Sequence, residues 1–487
     1  MFRGKSSLYL LPLILFVYLV LSEAVEQSMY TDGVAYAGLS KNLANGIGSF
    51  WTPSLSKVHL TEFHSHPPLV FWLQSLFFRV FGDGIATERI YAVTIFLLSA
   101  VGMILLWREA LRSLPSLRRL WFVPLTLWLA NEIVYHYYPA NVLEPTMTLF
   151  ALAAVYLMLR GVRLDTEVGV QFAAAAAAGA CVVAATLCKG FVALFPLATY
   201  GLYWLIFRGI SFRRAVALTG TVIGTITLAH LLLWQYAPAR TALWDYLEIQ
   251  VLPSLQSERV WEPHFRSSRW YIIKRLFAVL LPSFLAAALV FGLGRRYGRP
   301  DKAVDSTCRQ YAFLFLSLGV AASFPLAISP KQSFYYLLPS MGFYALGFAS
   351  FVGPAASSLM HLPTGPRWNR ILPILALLLL VGGGVNTYRH WGKVNNRDRV
   401  VIQDIELMQP IIPRGATVGS HGDIAELVSY FYRKHEVSID TNSLHTPDYD
   451  LSVAHRDVAA PPHRKPVVKG QSYILYQKTE KPPGEAD

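Results

Sequence analysis

Runs of about twenty apolar residues recur through most of this chain, and that is the length at which a helix crosses the hydrocarbon core of a bilayer with its backbone groups paired. Such runs lie at 8–25, 86–106, 120–138, 141–160, 168–187, 190–207, 215–235, 272–293, 310–328, 334–352 and 370–388, eleven in all. Composition agrees: 54% of the 487 residues are hydrophobic and 15% charged, whereas soluble domains run at about 45–50% and about 25%. An ordinary cytosolic protein is excluded. The pattern predicts an all-α polytopic membrane domain over residues 1–390 and a small soluble α/β domain over 391–487.

The net charge of +13 is unevenly spread, with 33 Lys and Arg against 18 Asp and Glu in residues 1–398 and 10 against 12 in 399–487. Basicity therefore sits in loops between spans, where the positive-inside rule accounts for it without nucleic acid. With Met-Phe-Arg-Gly-Lys ahead of an uncleaved first span, the N-terminus is expected in the cytoplasm. The loops on that side then hold eighteen basic and five acidic residues, against 15 and 13 on the other. An odd number of spans places the tail on the outer face of a plasma (inner) membrane, periplasmic in a Gram-negative cell, with the loops 26–85 and 236–271. Cys181 and Cys188 lie in an apolar run and Cys308 in a basic loop, which argues against a disulfide framework. In the tail, strands are expected at 416–420, 436–439, 449–453 and 472–476, with a helix over 424–434.

The outer segments carry the chemistry-bearing residues. Asp32 precedes an amphipathic stretch whose Val34, Ala37, Leu39 and Leu43 suit a helix lying flat on the membrane, so Asp32 reads either as a reactive carboxylate or as a helix N-cap. Glu62-Phe-His-Ser-His-Pro-Pro-Leu follows, in which Glu62, His64 and His66 have the chemistry of ligands for a divalent cation. A second amphipathic segment ends at Phe81-Gly-Asp-Gly, and Glu88-Arg89 stands at the mouth of the next span.

These residues, in this order, resemble the integral-membrane GT-C glycosyltransferases, in the branch of the lipid A aminoarabinose transferase and the protein O-mannosyltransferases. Later segments continue the likeness: Glu144 at the outer start of a span, Leu187-Cys-Lys-Gly-Phe, Arg259 to Tyr271, and Lys331-Gln-Ser-Phe-Tyr-Tyr-Leu-Leu-Pro. The resemblance covers about residues 8–390, and the soluble tail has a counterpart in the aminoarabinose transferase. It implies a sugar donor linked to a polyprenyl phosphate. His66 stands where the lipid A branch tends to have a Lys, which points to a different donor or acceptor.

Such a transfer needs a base for the acceptor hydroxyl and cations for the departing phosphate. Asp32 is the expected base, with Glu144 either a second carboxylate or an acid favoured by a helix N-terminus. Lys189, Arg259, His264, Arg266, Arg269 and Lys331 are the candidates for the phosphate, and the resemblance adds His66 and Tyr335 as substrate contacts. Lys189 interrupts an otherwise apolar stretch, which marks a functional site or a side chain snorkelling to the interface. A donor with a single phosphate needs no metal in the way a nucleotide diphosphate does. The acceptor ranges over lipid, glycan and protein. A transporter or flippase of a lipid-linked saccharide shares the many spans, but transporters place polar residues near the midplane and show repeats.

Overall fold

The computed structural model describes residues 4–163, 167–256, 270–297, 301–328, 332–363, 365–421, 424–442 and 448–479. Among these, eight helices are long and apolar enough to cross a membrane: Lys5–Ala24, Ile85–Ala110, Val168–Phe207, Phe212–Gln235, Tyr271–Tyr297, Lys302–Ile328, Phe334–His361 and Pro366–His390. Leu228, Leu232, Phe277, Leu289, Leu377 and Leu378 are exposed on the outside of these helices, as lipid-facing residues should be.

The other expected passes are present in broken form. At 1.5 Å per residue, the 40 residues of Val168–Phe207 would reach about 60 Å as one helix, twice the hydrocarbon thickness. Instead the chain turns at Gly190, whose φ is 78°. Arg214, at the start of the next helix, donates to Gln171 near the start of this stretch at 3.1 Å, while Thr186 near the turn lies 3.4 Å from His230 at the far end of that helix. Residues 168–189 and 190–207 are thus antiparallel passes. The 120–138 segment divides into Phe122–Leu129 and Glu132–Tyr137 around Asn131, whose amide donates to the carbonyls of Leu127 and Trp128. It runs back along Ile85–Ala110, tied by the Trp107 indole to Leu117 at one end and by Arg89 to the Pro139 carbonyl at the other. Glu144–Gly161 then recrosses, with Tyr91 and Thr146 bonded near its start. Among the described residues, these shorter and broken segments follow the expected runs in order between the eight long helices. Cys308, expected in a loop, is instead buried within the helix Lys302–Ser323.

At one end of the bundle lie two helices that do not cross, Thr31–Ala44 and Leu69–Phe81. The first was expected to lie flat on the membrane. It is instead enclosed by protein: Val34 packs into the tail's hydrophobic core and Leu39 into a separate cluster with Leu55, Phe71 and Leu143.

The tail begins with a helix Arg399–Met408 and carries strands β1 (Thr417–His421), β2 (Ser438–Asp440), β3 (Leu451–His455), β4 (Arg464–Lys469) and β5 (Tyr473–Lys478), with a helix Ala425–His435 between β1 and β2. The sheet order is β2-β1-β3-β5-β4, parallel across β2, β1 and β3 and antiparallel across β3, β5 and β4. Its core of Ile402, Ile405, Leu427, Phe431 and neighbours also takes in Met29 from the first long loop.

Candidate active site

Asp32 lies in the first turn of Thr31–Ala44, but the N-cap position belongs to Tyr30, and no side-chain capping bond is made there. The Asp32 carboxylate instead accepts a hydrogen bond of 2.9 Å from the Tyr335 hydroxyl, 303 positions away. The helix that carries it is seated tightly. Gly33 packs on the Ala140 carbonyl so closely that a Cβ would collide with it, and the Asn141 amide donates to the Gly33 carbonyl at 2.9 Å. Gln74 donates to Asn141 at 2.6 Å and accepts from Ser40 at 2.8 Å, so a buried polar network joins the two non-crossing helices to the 139–141 turn. Networks satisfied in this way rigidify the elements that they join.

Glu144 is the first residue of its helix, where the dipole favours a carboxylate. It is 1% exposed and pairs at 2.9 Å with Lys189, which is 8% exposed. Lys189 ends its own helix, and the left-handed Gly190 that follows turns the chain away. No larger residue fits there, because a Cβ on Gly190 would strike the Tyr246 hydroxyl. Lys189 therefore does not snorkel. Its ammonium faces inward over the rings of Tyr336 and Tyr335, at 5.1 and 5.8 Å from their centroids, a cation–π placement. Tyr335 in turn meets Tyr30 edge to face and Tyr137 at a tilt, with centroids 5.2 and 5.3 Å away. Burial, and after it the Asp32 carboxylate, push the Tyr30 phenol above its ordinary range. Asp32, Tyr335, Lys189 and Glu144, from four segments of the chain, thus form one contiguous polar centre.

Two cavities flank this centre. A groove of about 650 Å³ has Lys189, Glu144 and His66 on its lining and continues along apolar side chains that include Leu194, Phe195, Val251 and Leu326. A polar cavity of about 320 Å³ reaches Tyr30 and Tyr137 and is lined further by Glu26, Arg89, Glu132 and Arg397.

His64 does not join His66 and Glu62. It is buried and pairs at 2.8 Å with Asp245, while Glu62 is exposed. Among the described residues no group of three His, Cys, Asp or Glu could hold a metal ion. Arg259, His264, Arg266, Arg269 and Lys331 lie outside the described residues. Sequence reasoning missed Tyr336, Tyr246 and Asp245. Tyr336 alone carried a signal, as the second aromatic of a segment already singled out.

The crossings, the two helices packed at one end and the centre between them make this the fold of the GT-C membrane glycosyltransferases. A family model described as dolichyl-phosphate-mannose-protein mannosyltransferase matches residues 65–234. The crystal structure of ArnT from Cupriavidus metallidurans bound to undecaprenyl phosphate is similar with a TM-score of 0.64 at 14% identity, over 95% of this chain and 96% of that one. Its apo state matches equally well, at 0.64 and 15% identity over 95% of both chains. The apo oligosaccharyltransferase of Archaeoglobus fulgidus is similar at a TM-score of 0.52 and 11% identity, covering 91% of this chain and 65% of that one. No curated protein matches the chain by sequence.

Proposed function

We propose that the protein is a glycosyltransferase that takes a sugar from a polyprenyl-phosphate donor and passes it to an acceptor hydroxyl of a lipid, glycan or protein at the outer face of the membrane. The observation that carries this reading is a cation, Lys189, on the lining of a largely apolar groove, one tyrosine away from a carboxylate, Asp32. A lipid phosphate has that polarity, with a charged head and an isoprenoid tail. The solved relative holds undecaprenyl phosphate in the same fold.

In this reading Asp32 takes the proton of the acceptor hydroxyl as its oxygen attacks the anomeric carbon. The bond from that carbon to the phosphate oxygen breaks with inversion, and its electron pair leaves on the phosphate. Lys189 offsets the charge that develops there, in surroundings where charge is poorly screened. Glu144 holds the ammonium in place, and the Tyr335 hydroxyl fixes the orientation of the Asp32 carboxylate. His66 lines the groove beside Lys189, where the sugar would lie, and the polar cavity at Tyr30 and Tyr137 gives the acceptor its approach. Arg259, His264, Arg266, Arg269 and Lys331 are further contacts for the phosphate in this reading. A transporter would not require a carboxylate at one end of the bundle.

The test is Asp32→Asn, which keeps the shape and the hydrogen bond from Tyr335 but cannot take a proton. Turnover should fall about 10²–10⁴-fold, the usual share of a general base, with undecaprenyl phosphate still bound as tightly as by the unaltered protein. Ordinary turnover by this variant would remove Asp32 from the reaction.

A further inference from the structure

The segment that leads into the Asp32 helix, residues 25–30, has no regular structure beyond a turn, so tertiary hydrogen bonds must fix its path. Those that do so come largely from the far end of the sequence. Gly392 N–H donates to the Val25 carbonyl at 2.9 Å, Gln27 N–H to the Lys393 carbonyl at 2.8 Å, and Asn395 N–H to the Ser28 hydroxyl at 2.7 Å. At Met29 two tail side chains converge on a single residue's backbone, and a third holds them. The Tyr430 hydroxyl accepts from Met29 N–H at 2.8 Å and lies 2.7 Å from the Met29 carbonyl oxygen, which also accepts from Arg397 Nη2 at 2.8 Å. Asp398 holds both of these in place. Its carboxylate receives the Arg397 fork at 2.6 and 2.8 Å and lies 2.7 Å from the Tyr430 hydroxyl, and the residue is 1% exposed.

Tyr430 and Met29 both pack within the tail's hydrophobic core beside Leu427, Val428 and Phe431, and the Tyr430 hydroxyl is the part of that side chain that reaches the Met29 backbone. The arrangement acts on the residue next to Tyr30, whose ring lies under Arg397 at 5.7 Å and against Tyr335, the donor to Asp32. We propose that the C-terminal domain is a positioning domain for the transfer, with Tyr430 and Arg397, both held by Asp398, gripping the Met29 backbone so that Asp32 is presented to the acceptor hydroxyl. The inference rests on the assignment of Asp32 as base. It makes the three tail residues positioning residues, none of them touching the reacting atoms. Displacement of a reacting group by about 1 Å can cost about 10²-fold in rate, so a small loosening at Met29 is enough to be measured.

The experiment uses the full-length protein in nanodiscs and the variant Tyr430→Phe, which keeps the buried ring and removes the hydroxyl. Measured are kcat and KM with the donor and acceptor that the unaltered protein turns over, affinity for undecaprenyl phosphate, and the melting midpoint. Arg414→Ala is the control, because exposed Arg414 reaches the same domain contact through Glu436 and not through Met29. The expected result is a kcat lowered at least about tenfold, with KM for the donor and the phosphate affinity within about twofold, and no change in kcat for Arg414→Ala. If Tyr430→Phe is not recovered folded, Arg397→Gln carries the same expectation from a partly exposed position. A kcat within about twofold of the unaltered protein, or an equal fall in the control, overturns the inference. Turnover by Asp32→Asn overturns both this inference and the base assignment, whereas an inactive Asp32→Asn beside a fully active Tyr430→Phe overturns this one alone.

Discussion

Removing one charge of the Lys189–Glu144 pair strands the other where both side chains are more than nine-tenths buried, and breaking a pair of this kind costs about 3–5 kcal/mol. Lys189→Met by itself should therefore lower the melting point and confound any loss of transfer. The double variant Lys189→Met/Glu144→Gln leaves no uncompensated charge and should recover most of the lost stability. Its transfer should still be about 10–150-fold down, the equivalent of a charge-assisted hydrogen bond of about 1.5–3 kcal/mol to the phosphate. Thermal unfolding in detergent beside turnover separates the two effects, and full turnover by the double variant would leave the pair a structural role only. At this scale the sequence was half legible. Lys189 announced itself as a charge inside an apolar run, and Asp32 and Glu144 by their places before helices. The pairings did not, because the bonds Asp32–Tyr335, His64–Asp245 and Glu88–Arg433 join residues whose separation in the chain leaves no periodic trace, even though the resemblance had singled out Tyr335.

The contact between the Thr31–Ala44 helix and the tail helix Ala425–His435 has an electrostatic anchor at its edge. Arg414 and Lys41 both bond Glu436 and hold its carboxyl down to about 2, from an ordinary 4.5. A lowered value in the folded protein means that the stabilisation is complete above about 4.5 and is lost as the pH falls toward about 2. Hydrogen exchange of the amides of 31–44, followed from pH 5 downward, should show protection falling through that window. Glu436→Gln should flatten this dependence; an unchanged profile would place the acid-sensitive group elsewhere. Among the tail's elements, alternating or helical apolar patterns made β1, β2, β3, β5 and the 425–435 helix legible to within a few residues. The strand β4 was not, because Arg464-Lys-Pro-Val-Val-Lys reads as a basic loop. It is an edge strand with a register shift at Pro466, a place where a missing N–H is tolerated. The helix Arg399–Met408 also went unread, although Val401, Ile402, Ile405 and Met408 form its buried stripe.

For the whole molecule, the apolar runs were enough to anticipate the eight long helices that could cross a membrane. What they could not convey is that the helix of Asp32 would be enclosed between bundle and tail, since its apolar residues suit a lipid surface as well as a protein one. The charge bias expects the tail outside. Cys308 is too buried to report on this, so the sensitive probes are cysteines placed at exposed Asp457 in the tail and exposed Ser116 at the opposite end, with the three native cysteines replaced. A membrane-impermeant maleimide should label Asp457→Cys in intact cells and Ser116→Cys only after permeabilisation; the opposite pattern would invert the protein in the membrane. The enclosure of the Asp32 helix also has a consequence in time. A ribosome that has finished Ala44 still has several hundred residues to add before Tyr430 and Glu436 exist, an interval on the order of 20–80 s at about 5–20 residues per second. Throughout that interval the helix is already delivered to the membrane with its tail-facing side bare and the Met29 backbone ungripped. A nascent chain, or one released early by a stalled ribosome, therefore reaches the bilayer without the hold that the tail supplies.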